Sequence, residues 1–229
     1  MLGALRNFGA AMANLRRQPE SWRGTPPPAY GHDPKGKVVG ILGLGGIGRA
    51  MARRCKALGM RIIYHSRHRV STALEAEAGG ARYVGFEELL GVSDVVSVHV
   101  PLNAGTRHLL GRRELGMCKR GVVIVNTARG AVIDEAALVE ALESGQVGNV
   151  GLDVFEEEPM VHEGLLKNER AVLLPHMGTW TSETMAEMEI ETMRNVRCAM
   201  EWAAGKKGAG RVLSVVPEQR VLLEKMLAG

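Results

Sequence analysis

Apolar residues along this chain fall into short, nearly unbroken runs. Val38 to Leu42 is the first, and Arg61 to Tyr64, Val95 to Val98, Val122 to Val125, Val150 to Leu152 and Val172 to Leu174 follow. Between several of them the apolar spacing turns helical, from about Ile47 to Leu58 and most clearly from Asp134 to Ser144. A strand that is apolar on both sides is buried on both faces, and such strands separated by helices make a parallel sheet covered by helices. The pattern predicts an α/β fold of Rossmann type, a doubly wound parallel sheet with helices on both faces. Ligands of these sheets bind at the carboxyl ends of the strands. The residues just after each run therefore carry the candidate chemistry.

The flanks read differently. Leu5, Phe8, Met12 and Leu15 repeat at helical spacing in "MLGALRNFGAAMANLRRQ". The same stretch lacks acids and carries Arg6, Arg16 and Arg17, which is also the composition of a mitochondrial transit peptide. We adopt the packed helix, and with it a cytoplasmic rather than a mitochondrial location. "SWRGTPPPAYGHDPKGK" reads as a linker, because Pro26, Pro27 and Pro28 suit neither a helix interior nor sheet pairing. A long amphipathic helix is predicted from about Thr181 to Ala204. The closing "GKKGAGRVLSVVPEQRVLLEKMLAG" reads as a loop, a short apolar segment and a final helical turn.

Composition narrows the class. With 229 residues and 45% hydrophobic, the chain can bury one large core. Aromatics are only 4% while glycine numbers 29, which favours tight strand–helix turns over a β-sandwich. The net charge of +4 is scattered apart from a knot at positions 65 to 69, so nucleic-acid binding is not expected. Cys55, Cys118 and Cys198 are widely spaced with no CxxC, which indicates neither a metal cluster nor a disulfide framework but reduced, intracellular thiols. No apolar run reaches membrane-spanning length, so no membrane partner is expected.

In "GILGLGGIGRA", Gly43, Gly45 and Gly48 stand in G-x-G-x-x-G spacing between a predicted strand and a predicted helix, the context that gives this motif its meaning. The first glycine permits the tight turn, the second a close approach to a pyrophosphate, and the third close helix–strand packing. The helix N-terminus adds free N–H groups and a positive dipole end. Folds of this kind read the adenosine ribose at the end of the second strand, where an acid accepts from the 2′-hydroxyl of NAD. Here "IIYHSRHR" offers Ser66 and Arg67, with Arg69 close behind. A hydroxyl and guanidinium groups suit a 2′-phosphate, so NADP(H) is the preferred cofactor, with NAD(H) possible.

Three later strand ends carry unusual groups: Arg129 in "VIVNTARGAVID", Asp153 and Glu158 in "GLDVFEEEPM", and His176 in "VLLPHMGTW". Singly, each has an ordinary explanation in a surface ion pair, a solvated acidic run or a satisfied core histidine. Together they suit hydride reduction of a 2-oxo acid. The resulting alkoxide needs a proton, which His176 can give. A carboxylate would orient the imidazole and favour its protonated form. Arg129 would grip the substrate carboxylate and polarise the carbonyl.

From about residue 2 to about residue 217 the chain resembles the D-isomer-specific 2-hydroxyacid dehydrogenases, in particular the glyoxylate/hydroxypyruvate reductase branch. The resemblance rests on "GILGLGGIGRAMARR", "VSVHVPLNAGTRHLL", "VVIVNTARGAVIDEAALVEAL", "GLDVFEEEP" and "LLPHMGTWTSET". It implies that Arg129, Glu158 and His176 are catalytic, Glu158 being the glutamate that directly precedes the proline. It implies cofactor contacts at Gly46, Ile47, Ser66, Arg67, Pro101, Thr127, Ala128, Asp153 and Gly178, with Asp153 facing the nicotinamide amide; Arg129 and His176 border the same space. Ser66 stands where NAD-preferring members have Asp. A homodimer through the nucleotide domain is also implied.

Members of that family begin with a flavodoxin-like substrate domain of roughly a hundred residues. The resemblance divides this chain into an interdomain helix at 1–23, an NAD(P)-binding domain at 24–204 and a segment at 205–229 that would return to the substrate domain. Two functions stand at this point. One is an NADPH-dependent reductase of glyoxylate, hydroxypyruvate or a similar acid, with sugar acids and phosphorylated hydroxy acids as further substrates. The other is a catalytically impaired dinucleotide-binding module, like the C-terminal-binding-protein corepressors that resemble this family. Trp180, near His176 in sequence, limits substrate size or merely packs.

Overall fold

The computed structural model describes residues 1–17 and 30–204. The proline-rich part of the predicted linker and the predicted segment 205–229 lie outside the described residues. The chain divides into two compact units, Met1–His176 and Met177–Gly229.

In the first unit seven parallel strands form one sheet: β1 (Val38–Leu42), β2 (Arg61–His65), β3 (Arg82–Tyr83), β4 (Val95–Val98), β5 (Val122–Asn126), β6 (Val147–Leu152) and β7 (Ala171–Leu173). Their order is β3-β2-β1-β4-β5-β6-β7, so the winding reverses between β1 and β4. That reversal opens a crevice at the carboxyl edge, where ligands of doubly wound sheets bind. Every position of β1, β4 and β5 is buried, as their apolar runs require.

Alternate residues serve opposite faces. Val38, Leu42, Ile63, Val96, Val98 and Ile124 join a core with α5 (Phe86–Val92), α6 (Arg112–Met117), α7 (Glu135–Glu143) and α8 (Glu163–Leu166). Val39, Ile41, Ile62, Tyr64, Val95 and Val125 join a second core that includes Ala52 and Cys55 of α3 (Gly46–Ala57) and Leu5 of α1 (Leu2–Leu5). The sheet is thus covered on both faces. Burial pushes the Cys55 thiol up to about 11 and Cys118 up to about 12, so neither is a reactive thiolate near neutral pH.

The sequence pattern misses several short elements: β3, α4 (Thr72–Glu77), α5, α6 and α8. It also treats the N-terminal helix as continuous. In the structure Asn7, with φ 57°, separates α1 from α2 (Phe8–Arg17). The break turns the apolar stripe away from one common face. Leu5 is 1% exposed, while Phe8, Met12 and Leu15 are about half exposed. Of the four, Leu5 alone is buried, and α2 packs instead through Ala10, which is 4% exposed, and Gly9, whose added Cβ would lie 2.4 Å from the Glu169 carbonyl oxygen.

The described part of the second unit contains α9 (Ser182–Ala203), capped by Thr181, whose hydroxyl accepts the Thr184 N–H at 3.2 Å. Met185, Met188, Met193, Val196 and Met200 on this helix are exposed. No helix among the described residues is long and apolar enough to cross a membrane.

Candidate functional site

The glycine loop joins β1 to α3 at the crevice. Gly43 adopts φ 93°, and a Cβ there would lie 2.8 Å from the His99 carbonyl oxygen. A Cβ at Gly48 would lie 2.1 Å from the Gly43 carbonyl oxygen, so helix and loop touch as the motif requires. Gly45 and Gly46 face open space, with nothing within 4 Å of an added Cβ. Backbone is thus exposed at the N-terminus of α3, where N–H groups and the dipole favour an anion.

The end of β2 is fastened to this loop, because the Ser66 hydroxyl accepts the Leu44 N–H at 3.0 Å and keeps its own proton to donate. Arg67 is exposed and no carboxylate is bonded to it among the described residues. Arg69 is committed elsewhere. It makes two hydrogen bonds to Glu75, at 2.8 and 2.9 Å, and the Tyr64 hydroxyl donates to the same carboxylate at 2.7 Å. The Arg69 bonds, then Tyr64, hold Glu75 at about 2. The three-residue anion site read from the sequence therefore narrows to Ser66 and Arg67.

Beside the loop, Ile47, Pro101, Thr127, Ala128 and Arg129 line one groove of about 380 Å³ together with His99. Five residues assigned to cofactor contact from different parts of the sequence are thereby brought to one surface. The His99 ring meets the Ser97 hydroxyl at 2.9 Å, and burial drives its pKa down to about 4. It is a neutral group at physiological pH.

The three candidate catalytic residues follow β5, β6 and β7. His176 Nδ1 lies 2.9 Å from Glu158 Oε2, and the His176 backbone is left-handed at φ 52°. The Glu158 side chain is 37% exposed and that of His176 51%, so both are reachable from solvent. Partial burial would raise the Glu158 carboxyl, but the bonds from His176 and from the Phe155 N–H at 3.0 Å, with Arg129 nearby, hold it below its usual range. A carboxylate only accepts, so Nδ1 carries the proton and Nε2 is left to face a substrate. Arg129 is exposed, with Nη1 on the Ala128 carbonyl at 2.6 Å and other donors available. Asp153 is 5% exposed at the end of β6, and its N–H donates to the Asn126 carbonyl at 3.0 Å. Gly178 and Trp180 belong to the second unit.

Sequence reasoning missed the parts that hold these groups. Glu156, in the same glutamate run, is a tie: it accepts from Arg107 at 2.9 Å and the Glu135 N–H at 3.3 Å, and meets His108 at 2.6 Å. Asn126 spans the Arg129 turn with its amide. An Asn closing an apolar strand is an Asx-turn signal, which could have flagged it. A second cavity of about 380 Å³, lined by Asp134, Glu135, Glu156, Glu157, Met160 and His162, contains none of the predicted site residues.

Comparison with known proteins follows the same lines. Residues 1–178 match the family described as D-isomer specific 2-hydroxyacid dehydrogenase, NAD binding domain. The chain is 51% identical to 4-methyl-2-oxopentanoate reductase A of Aspergillus oryzae, over 96% of this chain and 63% of the relative. It is 47% identical to glyoxylate reductase 1 of Saccharomyces cerevisiae, over 95% of this chain and 60% of the relative. Among solved structures, a glyoxylate reductase from Paecilomyes thermophila is 54% identical with a TM-score of 0.85, covering 96% of this chain and 63% of that one. The chain thus spans about three fifths of the length of these relatives. On its sequence, its sheet and these matches, the chain belongs to the D-isomer-specific 2-hydroxyacid dehydrogenase family, through that family's NAD-binding domain.

Proposed function

We propose that the protein works in an NADPH-dependent reductase of small 2-oxo acids of the glyoxylate or hydroxypyruvate type, supplying the nucleotide-binding domain and the acid–base group. One observation carries this reading: the Glu158–His176 pair, at 2.9 Å and open to solvent, stands on the same strand-end surface as Arg129. The open glycine cradle and the groove beside it fit a dinucleotide, held by Gly43 to Gly48, Pro101, Thr127, Ala128 and Asp153. Ser66 and Arg67 would take the 2′-phosphate. The bound cofactor supplies the hydride; the remaining chemistry falls to the side chains. Arg129 binds the substrate carboxylate with parallel N–H bonds. His176 gives its Nε2 proton to the oxygen that becomes the hydroxyl, while Glu158 fixes the ring through Nδ1.

The name of the Aspergillus relative points to acids with a branched apolar side chain as well. Division of the chain into 1–23, 24–204 and 205–229, pairing of two copies through the nucleotide domain and a cytoplasmic location belong to the same proposal. A second reading is a dinucleotide-binding module without turnover, for which the open glycine cradle would suffice. NADPH consumption by the purified chain with glyoxylate and with hydroxypyruvate, NADH in parallel, separates the two. Turnover that prefers NADPH is expected. NADPH binding without turnover would favour the module.

A further inference from the structure

Asn126 closes β5 and is 1% exposed. A buried amide costs free energy unless its donors and acceptor are satisfied. Here Oδ1 accepts the Ala128 N–H at 3.0 Å and Nδ2 donates to the Arg129 carbonyl at 2.9 Å. One side chain therefore closes both ends of the turn that carries Thr127, Ala128 and Arg129 along the groove. These partners fix the amide's orientation, since turning it over would set NH₂ against N–H and oxygen against oxygen. The Asn126 carbonyl accepts the Asp153 N–H at 3.0 Å, tying the turn to the end of β6. Gly130 completes the arrangement. A Cβ there would lie 1.8 Å from the Phe155 carbonyl carbon, and the Phe155 N–H is the group that donates to Glu158. The Arg129 turn thus rests on the backbone that holds Glu158.

We infer that Asn126 is a positioning residue for the carboxylate site: it fixes where Arg129 leaves the main chain and acts on substrate only through Arg129. This rests on the reading of Arg129 as the carboxylate clamp. The test is a double-mutant cycle on oxalate binding to the NADPH-saturated chain, followed by calorimetry, which needs no turnover. Asn126→Asp keeps the acceptor for Ala128 and sets a second oxygen against the Arg129 carbonyl. It should weaken oxalate roughly ten- to hundredfold. In an Arg129→Ala background the same change should cost less than about threefold, because coupled residues are not additive. Hydrogen exchange should quicken at the Arg129 turn in the Asp variant. If Asn126→Asp does not fold, Asn126→Ser, which lacks the Nδ2 donor, runs through the same cycle. Equal losses in both backgrounds would overturn the inference and leave the Arg129 reading standing. Oxalate binding that ignores Arg129→Ala, or no oxalate binding by the wild-type chain, would overturn both.

Discussion

His99 and His176 each follow a strand on the carboxyl edge, yet their surroundings give them opposite characters. His99 follows β4 beside the sheet crevice, has the Ser97 hydroxyl at its ring, and is driven by burial to about 4. His176 follows β7 in the open, with a carboxylate at 2.9 Å on Nδ1. Burial withholds charge from the first ring, and a fixed acceptor leaves one nitrogen of the second to work. The same contrast runs through the two halves of the edge. Around β1 and β4 the surface is shaped by backbone fit and neutral groups, and the end of β2 adds one exposed cation, Arg67. Around β5, β6 and β7 it is shaped by charged side chains that solvent can reach. Position in the topology marks both halves as ligand-facing; only the neighbours separate holding from proton transfer.

The sharpest way to break this division is at the histidines. His176→Gln is expected to lower turnover roughly 10²- to 10⁴-fold, the usual size of a general-acid contribution, with NADPH affinity nearly unchanged. The same substitution at His99 should act on NADPH affinity instead. Steady-state NADPH oxidation with glyoxylate, beside a binding titration, reads both. Next in size is Arg67→Asp, which should weaken NADPH by roughly ten- to hundredfold and spare NADH, since charge-assisted bonds to the 2′-phosphate are lost. Equal effects on the two cofactors would contradict recognition of the 2′-phosphate by Arg67 and with it the NADP preference. Gly48→Ala then tests the backbone-fit half. Its Cβ would lie 2.1 Å from the Gly43 carbonyl oxygen, and a loss of about 1–3 kcal/mol in urea unfolding is expected.

The smallest expected effect is at Glu75, which holds Arg69 through two hydrogen bonds. Its folded value, about 2, lies below its ordinary 4.5. Its contribution to stability is therefore present above about 4.5 and is lost as pH falls towards about 2. Glu75→Gln should be less stable than the wild type at pH 7 and match it near pH 2. A difference in urea midpoint that is constant across that range would contradict the Arg69–Tyr64–Glu75 geometry.

Much of this edge was legible beforehand because sequence periodicity reports burial. β1, β4 and β5 are buried at every position, so their runs stand out, and each fixes the residue that follows it. β3 has two residues, too few for a period, and α4 and α8 are barely longer than a turn. β6 begins at Val147 rather than Val150, because Gly148 and Asn149 interrupt its apolar run. The break at Asn7 arises from one left-handed residue that spacing cannot reveal. Arg69 illustrates the limit at the site itself: a basic residue beside Arg67 in sequence is drawn off by Glu75, six positions on. Gly130 depends on a loop distant in sequence, at Phe155, whereas Asn126 holds residues two and three positions on and shows in the sequence only as an Asx-turn signal.

Hydrogen exchange of the purified chain, with and without saturating NADPH, tests most directly whether the two halves hold one dinucleotide. Protection is expected together in residues 43–48, 66–67, 99–102 and 126–129. Unchanged exchange in those segments, or protection confined to the acidic cavity around Glu135 and Glu157, would contradict it.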